Sequence, residues 1–392
     1  MTRGVFGGGA RRARSGVLAM VLLVSAACSG EAAPKPVLPP PKAVVYTLLV
    51  SNELLAVDVD RGVVIRRRMA EYDGEAYPAY AITASPDRKT LHVLTQREWF
   101  PQEAGKRERQ SIVLVDPTSL EVRKRILLDG AWTNVVMVAG RRTGRLHVFG
   151  MAKERGGWAP TLTVVDPVEG SVVSRVKLRA AHGKTWLPFA ADLSDDERRV
   201  TLSYHGEDTT GSEVYRIGGD GRGERLAASD RLTGCTGAAG EGRCVDLHGG
   251  VSTHKGRLYA TTGGPEVMEI DVDGRLLRRL ALPSLQGNHV MEMVLNREAG
   301  RLYVLGSCLY SGGLAVLDLA DGRSREVAPR KRGTGTAGPD LVCGERGELY
   351  SDALITMLKP ADEVVFVDTV TGKIHKRVHV DRRPVSLLVL PL

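Results

Sequence analysis

Seven times along this 392-residue chain, an apolar run ends in a short polar turn and resumes as a second strand-like run. The turns are AVDVDRG at Asp58, IVLVDPTSL at Asp116, LTVVDPVEG at Asp166, VYRIGGDG near Gly218, VMEIDVDG at Asp271, LAVLDLADG at Asp318 and VVFVDTVTG at Asp368, spaced about 47 to 58 residues apart. Asp suits such a turn because its side chain bonds its own backbone, and Gly because it reaches positive φ with no Cβ to clash. A repeat of this length points to a supersecondary unit that buries its apolar faces only against its neighbours. Glycine is frequent (45 residues) and aromatics are few (5%), which fits many short strands and turns. Long helical periodicity is missing.

A second set of polar turns runs in step with the first: SPDRKTLHVL (85–94), GRRTGRLHVF (140–149), SDDERRVTLSY (194–204), HKGRLYA (254–260), REAGRLYVLG (297–306) and ERGELYS (345–351). Only six are present, because the seventh would cross the chain ends. Four strands per unit at this spacing predict an all-β chain, a seven-bladed β-propeller of four-stranded antiparallel blades with strands a to d running outward from a central channel. The first blade then holds strands b, c and d within 44–69 and lacks strand a. The terminal run PVSLLVLPL has no local partner. Placed as the missing strand, it closes blade 1 and leaves no open sheet edge between the first and last blades.

SPDRKTLHVL and VVFVDTVTGKIHKRVHVDRRPVSLLVL resemble the repeat of the YVTN-type bacterial β-propellers, in which a Ser-Pro-Asp-Gly turn, a Tyr-Val strand and an Asp-Thr-x-Thr-Gly turn recur. The likeness covers the body, 44–392. Arg88 replaces the glycine of the first turn, and blades 4 to 6 match loosely. The resemblance implies an extracytoplasmic seven-bladed binding scaffold. It carries no shared catalytic residues, so none transfer.

The start reads MTRGVFGGGARRARSGVLAMVLLVSAACSG, with Arg3, Arg11, Arg12 and Arg14 ahead of an apolar run from Val17 to Ala27. That run is about half of the ~20 residues a membrane helix needs, so 1–27 is expected to be a cleaved export signal. It resembles a bacterial lipoprotein signal with the box Ser25-Ala26-Ala27-Cys28, Ser25 standing where the family prefers Leu. The resemblance implies that Cys28 is acylated, with palmitate as an expected chain, and becomes the mature N-terminus. Ordinary secretion with a free Cys28 is the alternative. Arg11-Arg12 lacks the rest of a twin-arginine motif. The proline-rich segment up to residue 43 is expected to form a semi-rigid tether of roughly 3.1 Å per residue, lifting the body about 40 to 45 Å from the bilayer. Two or more acyl chains would anchor it stably. The expected location is thus the extracytoplasmic face of the cell membrane, with the lipid anchor as the membrane contact. Without 1–27 the formal charge of +8 falls to +4. So modest and scattered an excess argues against a nucleic-acid surface. A monomer is expected.

In a propeller the a–b and c–d turns share one face, and the b–c and d–a connections share the other. The first set is short here. Longer segments, 97–110, 151–160 and 205–212 (b–c of blades 2, 3 and 4), 229–245 and 328–340 (d–a), fall on the second face, and loops on a rigid scaffold are where binding tends to lie. All four tryptophans belong to that side: Trp99 and Trp158 in b–c loops, Trp132 and Trp186 at the entry to strand a of blades 3 and 4. Exposed Trp clusters mark hot spots or stacking surfaces; the competing reading is packing between blades. His248 and His289 are expected to enter strand a at the channel rim, near Asp340 and His205. No His-x-His or Cys-x-x-Cys spacing accompanies them, so no metal site is expected.

Four cysteines follow Cys28 in what would be an oxidising compartment. The preferred pairing is Cys235–Cys244 and Cys308–Cys343, with reduced or differently paired thiols as the alternative. GTGTAG at 333–338 matches a dinucleotide fingerprint but runs into Pro339 instead of opening a helix. DVDRG and DVDG are too short for calcium loops. No nucleophile elbow, zincin helix or haem motif is present, and no cofactor is expected. The leading expectation is a non-catalytic scaffold that binds a partner protein, peptide or cell-wall glycan on its loop-rich face. The alternative is an enzyme, since seven-bladed propellers also host lactonases and quinone-dependent dehydrogenases at the channel mouth. Fold analogy alone supports it, with His248, His289 and Asp340 as acid-base candidates.

Overall fold

The computed structural model describes residues 43–391 except 50, 52, 70, 73–74, 77–78, 96–109, 129–131, 155–156, 179–185, 207–209, 218–222, 229–250, 262–264, 272–274, 286–289, 307–311, 329–345, 352–353, 360–361 and 383. Its strands in chain order are β1 (Ala43–Leu49), β2 (Glu53–Asp58), β3 (Val63–Met69), β4 (Glu71–Tyr72), β5 (Glu75–Ala76), β6 (Ala79–Ala84), β7 (Leu91–Thr95), β8 (Gln110–Val115), β9 (Val122–Leu128), β10 (Trp132–Ala139), β11 (Leu146–Glu154), β12 (Gly157–Asp166), β13 (Ser171–Lys177), β14 (Trp186–Leu193) and β15 (Arg199–Gly206). Then come β16 (Thr210–Ile217), β17 (Gly223–Ala228), β18 (Val251–His254), β19 (Arg257–Thr261), β20 (Glu266–Ile270), β21 (Leu276–Ala281), β22 (Val290–Asn296), β23 (Arg301–Gly306), β24 (Leu314–Asp318), β25 (Ser324–Ala328), β26 (Arg346–Ser351), β27 (Leu354–Lys359), β28 (Glu363–Asp368), β29 (Ile374–His379) and β30 (Pro384–Pro391).

These pair into seven four-stranded antiparallel sheets: β30-β1-β2-β3 (blade 1), β6 to β9 (blade 2), β10 to β13 (blade 3), β14 to β17 (blade 4), β18 to β21 (blade 5), β22 to β25 (blade 6) and β26 to β29 (blade 7). The first strands touch in succession, β30 to β6, β10, β14, β18, β22, β26 and back to β30. The molecule is therefore an all-β propeller of four-stranded antiparallel blades. The terminal strand has found its partner. β30 runs antiparallel to β1 from Ala43↔Pro391 to Leu49↔Pro384. Its Leu390 packs with Tyr46, Leu48 and Val93, whereas Leu387 packs with Val45, Leu55 and Phe366. One strand thus joins blade 1 to blade 2 on one face and to blade 7 on the other.

The core lies between blades, which explains why the inner strands read as continuous apolar runs. β1 is buried along its whole length; Val44, Tyr46 and Leu48 enter one cluster, Ala43, Val45 and Leu49 the next. That is the period of two expected of a strand covered on both sides. The outermost strands differ. They carry cations such as Arg66 to Arg68, Arg123 to Arg125 with Lys124 between, Arg278 and Lys376, and every c–d ladder contains a register shift. Charge and bulges both discourage a sheet edge from pairing with another chain.

The same cations tie blades together. Lys376 of blade 7 donates to the carbonyls of Val59 (2.8 Å) and Asp60 in the c–d turn of blade 1. Lys124 of blade 2 donates to the Glu169 carbonyl of blade 3 at 3.0 Å, Arg278 of blade 5 to Leu319 of blade 6 at 3.3 Å, and Arg325 of blade 6 to Thr369 of blade 7 at 3.3 Å. Within each turn the aspartate acts as predicted: Asp116, Asp166 and Asp368 each accept two backbone N–H bonds through Oδ1. Such bonds to the ionised form hold Asp116 and Asp368 below the usual carboxylate range.

Several local expectations need correction. Segments 151–160 and 205–212 are not long loops: β11 and β12 continue to Glu154↔Gly157, and β15 and β16 continue to His205↔Thr210. ERGELYS is not the turn into strand b of blade 7. Its residues 346–351 are strand a, and strand b is Leu354–Lys359. A short β4–β5 hairpin between blades 1 and 2 was not anticipated.

Candidate functional site at the mouth of blades 3 and 4

The candidate tryptophans fall on the face that carries the b–c connections. Among the described residues β7, from Leu91, has 5 residues and β11, from the equivalent Leu146, has 9. The last four of these span roughly 13 Å at about 3.3 Å each. The blade 4 hairpin has 8 residues in each strand.

The register places three of the tryptophans at these ends. Trp132, the first residue of β10, lies opposite Ala152, which lies opposite Ala159, giving a row across strands a, b and c. Both alanines are buried, at 0% and 5% exposure. Trp158 pairs with Lys153 one step nearer the hairpin tip. In blade 4, Trp186 opens β14 opposite Gly206, and His205 sits between Leu187 and Thr210. Trp132 and Trp186 thus begin the innermost strands of adjacent blades, and Trp158 and His205 occupy the neighbouring hairpin ends. Trp99, His248, His289 and Asp340 lie outside the described residues, as do Cys28, Cys235, Cys244, Cys308 and Cys343.

The turn-bearing face holds a polar cluster that the sequence reading missed. Asp192, near the end of β14, accepts bonds at Oδ2 from the Thr253 N–H (2.7 Å), the Thr253 hydroxyl (3.0 Å) and the Arg297 guanidinium (3.2 Å). Arg297 also bonds the Thr253 carbonyl and Asp195, the latter at 2.9 Å, while Arg141 of blade 3 stands 3.8 Å from Asp192. The network laces the inner strands of blades 4 and 5 to the a–b turns of blades 3 and 6. Burial lowers the pKa of Arg297 from its ordinary value, opposed by Asp192 and Asp195. Burial also lowers that of His254, helped by Lys255 and Arg297. The one available signal was an aspartate inside the apolar run FAADL. Among the described residues, the partners of Asp192 tie blades 3, 4, 5 and 6 together. Among the described residues no group of three or more His, Cys, Asp or Glu is placed to hold a metal ion.

No family model and no curated protein matches the sequence. Among solved structures, the chain is similar to the periplasmic gluconolactonase of Pseudomonas aeruginosa, at 17% identity and TM-score 0.61, over 89% of this chain and 99% of that one. A functionally unknown protein from Desulfotomaculum acetoxidans aligns at 9% identity and TM-score 0.60, over 89% and 98%. Hydrazine synthase of Kuenenia stuttgartiensis aligns at 13% identity and TM-score 0.54, over 83% and 99%. At such identities the likeness establishes the β-propeller fold.

Proposed function

We propose that this chain is an exported lipoprotein of YVTN type, anchored through Cys28, whose seven-bladed propeller is a binding scaffold. Its ligand site is the mouth over blades 3 and 4, and its ligand is a partner protein, peptide or cell-wall glycan. The observation that carries the reading is the register of Trp132, Trp158 and Trp186 at the ends of two adjacent, extended hairpins. Tryptophan offers a large stacking area at low entropic cost, and rigid strands hold it in place better than loops do. The preferred disulfides, Cys235–Cys244 and Cys308–Cys343, would stiffen the same face; peptide mapping without reduction tests them. The experiment for the site is crosslinking in intact cells followed by mass spectrometry, comparing the native chain with Trp132→Ala, Trp158→Ala and Trp186→Ala. The native chain should capture a stable neighbour that the variants lose while melting normally. Capture unchanged in identity and yield across all three variants would sink the proposal.

The gluconolactonase likeness motivates one enzymatic alternative at the same mouth, with His248, His289 and Asp340 as acid-base groups. Hydrolysis of gluconolactone that is lost on His248→Ala would replace the binding reading.

A further inference from the structure

We infer that the outer wall of blades 7, 1, 2 and 3 is a second binding surface, for a flexible linear polyanion of the acidic-polysaccharide class. It is separate from the mouth over blades 3 and 4. The outermost strands of these four blades are β29, β3, β9 and β13, with the sequences IHKRVH, VVIRRRM, VRKRILL and SVVSRVK. They hold ten Lys or Arg and no Asp or Glu. Everything after residue 27 sums to only +4, so the rest of that chain is net acidic. An excess that looks scattered in the sequence is gathered by the fold. The four blades are consecutive, since their first strands touch in the order β26, β30, β6 and β10. Protection of sheet edges does not require so one-sided a charge. The outer strands of blades 4 and 6 read GERLAA and SREVA, which mix two cations with two anions.

Register turns the belt into a track. Arg67, Arg125, Arg175 and Arg377 each lie opposite the residue three before their blade's c–d aspartate, namely Leu55, Val113, Thr163 and Val365. One arginine per blade therefore holds the same height on the wall. The adjoining register position is already in use, with Lys124 and Lys376 donating to turn carbonyls of the next blade. In blades 1 and 7 the arginine meets a glutamate five before the aspartate, Arg67 with Glu53 at 3.5 Å and Arg377 with Glu363 at 3.2 Å. Ser111 and Thr161 take that position in blades 2 and 3, and Arg125 donates to the Ser111 hydroxyl at 3.0 Å. Guanidinium groups grip carboxylates through two parallel bonds. Exposed Ile65, Leu127 and Val173 on the same strands offer apolar contact to the C–H faces of sugar rings.

Shape selects among anionic partners. Blades 7 to 3 span three of the ring's seven steps, close to half a turn, so the wall is convex. A flat bilayer touches the outer strands of one or two blades at once. Duplex DNA, with a persistence length of about 150 bp, resists so tight a curve. Single-stranded nucleic acid binds by stacking on aromatic side chains, and the four strands contain no Phe, Tyr or Trp. A flexible sugar chain with regularly spaced carboxylates can follow the arginines from blade to blade.

The test follows fluorescein-labelled polygalacturonate by anisotropy against the full chain carrying Cys28→Ser, so that no acyl group contributes. Binding should exceed that of neutral dextran and fall steeply with added salt. Removing four wall cations together (Arg68→Gln, Arg123→Gln, Arg175→Gln, Lys177→Gln) should weaken it at least about tenfold, whereas removing four exposed turn cations (Lys89→Gln, Arg142→Gln, Arg198→Gln, Lys373→Gln) should weaken it less than about threefold. In the chain without these substitutions, bound polygalacturonate should slow chemical acetylation of Lys177 and leave that of Lys373 unchanged, a readout that does not depend on how the variants fold. No binding at about 50 mM salt, equal losses in the two quadruple variants, or equal acetylation at the two lysines overturns the wall site. Tighter binding of duplex DNA or of phosphatidylglycerol vesicles than of polygalacturonate overturns the polysaccharide assignment. Loss of polygalacturonate binding in Trp132→Ala would move the sugar to the mouth and remove the second surface.

Discussion

His92 and His147 hold one position of the repeat, opposite the residue two before the c–d aspartate, that Tyr46, Tyr259 and Tyr303 hold in blades 1, 5 and 6. Both histidines are buried, at 1% and 4% exposure, with Nδ1 unpartnered. Burial pushes each pKa down from 6.5 to about 4, against the opposing pull of Asp87 on His92 and Glu197 on His147. The unfolded chain therefore takes up protons that the native state refuses. Stability is unaffected above about pH 6.5 and falls as the pH drops toward 4, by about 2 to 3 kcal/mol per histidine. Replacing them with the tyrosine found elsewhere in the repeat, His92→Tyr with His147→Tyr, should flatten the loss in urea unfolding between pH 7 and 4.5; parallel pH profiles for the two chains would refute this. Left-handed residues pose a second test. Arg88, Glu197 and Leu120 have φ of 61°, 57° and 60°, and that conformation costs a non-glycine residue about 1 to 2 kcal/mol. Glycine would relieve that strain, yet at Glu197 it should lower thermal stability, because that carboxylate accepts bonds from Arg142 and Thr143 of blade 3. Charge-assisted bonds are worth about 1.5 to 3 kcal/mol. It should lower it at Leu120 too, which is 1% exposed within a core cluster, since burying a leucine contributes about 2 to 3 kcal/mol.

Between elements, the unit of cohesion is a cation on one blade's outer strand set against the glycine turn of the next. Gly170 and Gly372 share a positive φ, 72° and 66°, but differ in what a side chain would meet. A Cβ at Gly170 would stand 2.0 Å from Lys124 Nζ, a flexible tip, whereas one at Gly372 would stand 2.0 Å from the backbone carbonyl of Val327. Gly372→Ala should thus destabilise more than Gly170→Ala, which mainly meets the left-handed strain of about 1 to 2 kcal/mol. Equal melting temperatures for the two variants would contradict the contact geometry. The turns themselves were legible because Asp and Gly act within a few residues. The cation contacts were not, since nothing local states which outer strand lies beside which turn. The hairpin ends failed for another reason. Period-two patterning arises where one face of a strand is buried and the other is not, and MAKERGGWAP lacks that alternation: Met151 and Ala152 are buried in succession and Lys153 is exposed. Lys153 and Glu154 look like the start of a loop although they pair with Trp158 and Gly157. ELYS deceived in the opposite way, imitating strand b while serving as strand a.

For the molecule as a whole, closure depends on a strand contributed from the far end of the chain, more than three hundred residues from its partner. That pairing was legible because an apolar terminal run and a three-stranded first blade each lack what the other has. β30 buries Leu387 and Leu390 on opposite faces and pairs with β1 along its length. Removing 384–392 should uncover the β1 edge and cost at least the burial of those two leucines, about 4 to 6 kcal/mol, comparable to the whole stability of a typical domain. The expected result is aggregation or loss of a cooperative melting transition. A circular permutant separates the pairing from the covalent order. Ala43 and Pro391 are opposite one another, so a short turn can join β30 directly to β1 as an ordinary a–b connection, with new termini opened at Val168, which is 85% exposed in the c–d turn of blade 3. This chain should melt cooperatively within a few degrees of the native one, because β30 stays paired with β1 and the cut falls in an exposed turn. If the permutant unfolds while the truncated chain survives, then the ring is held by something other than its terminal strand.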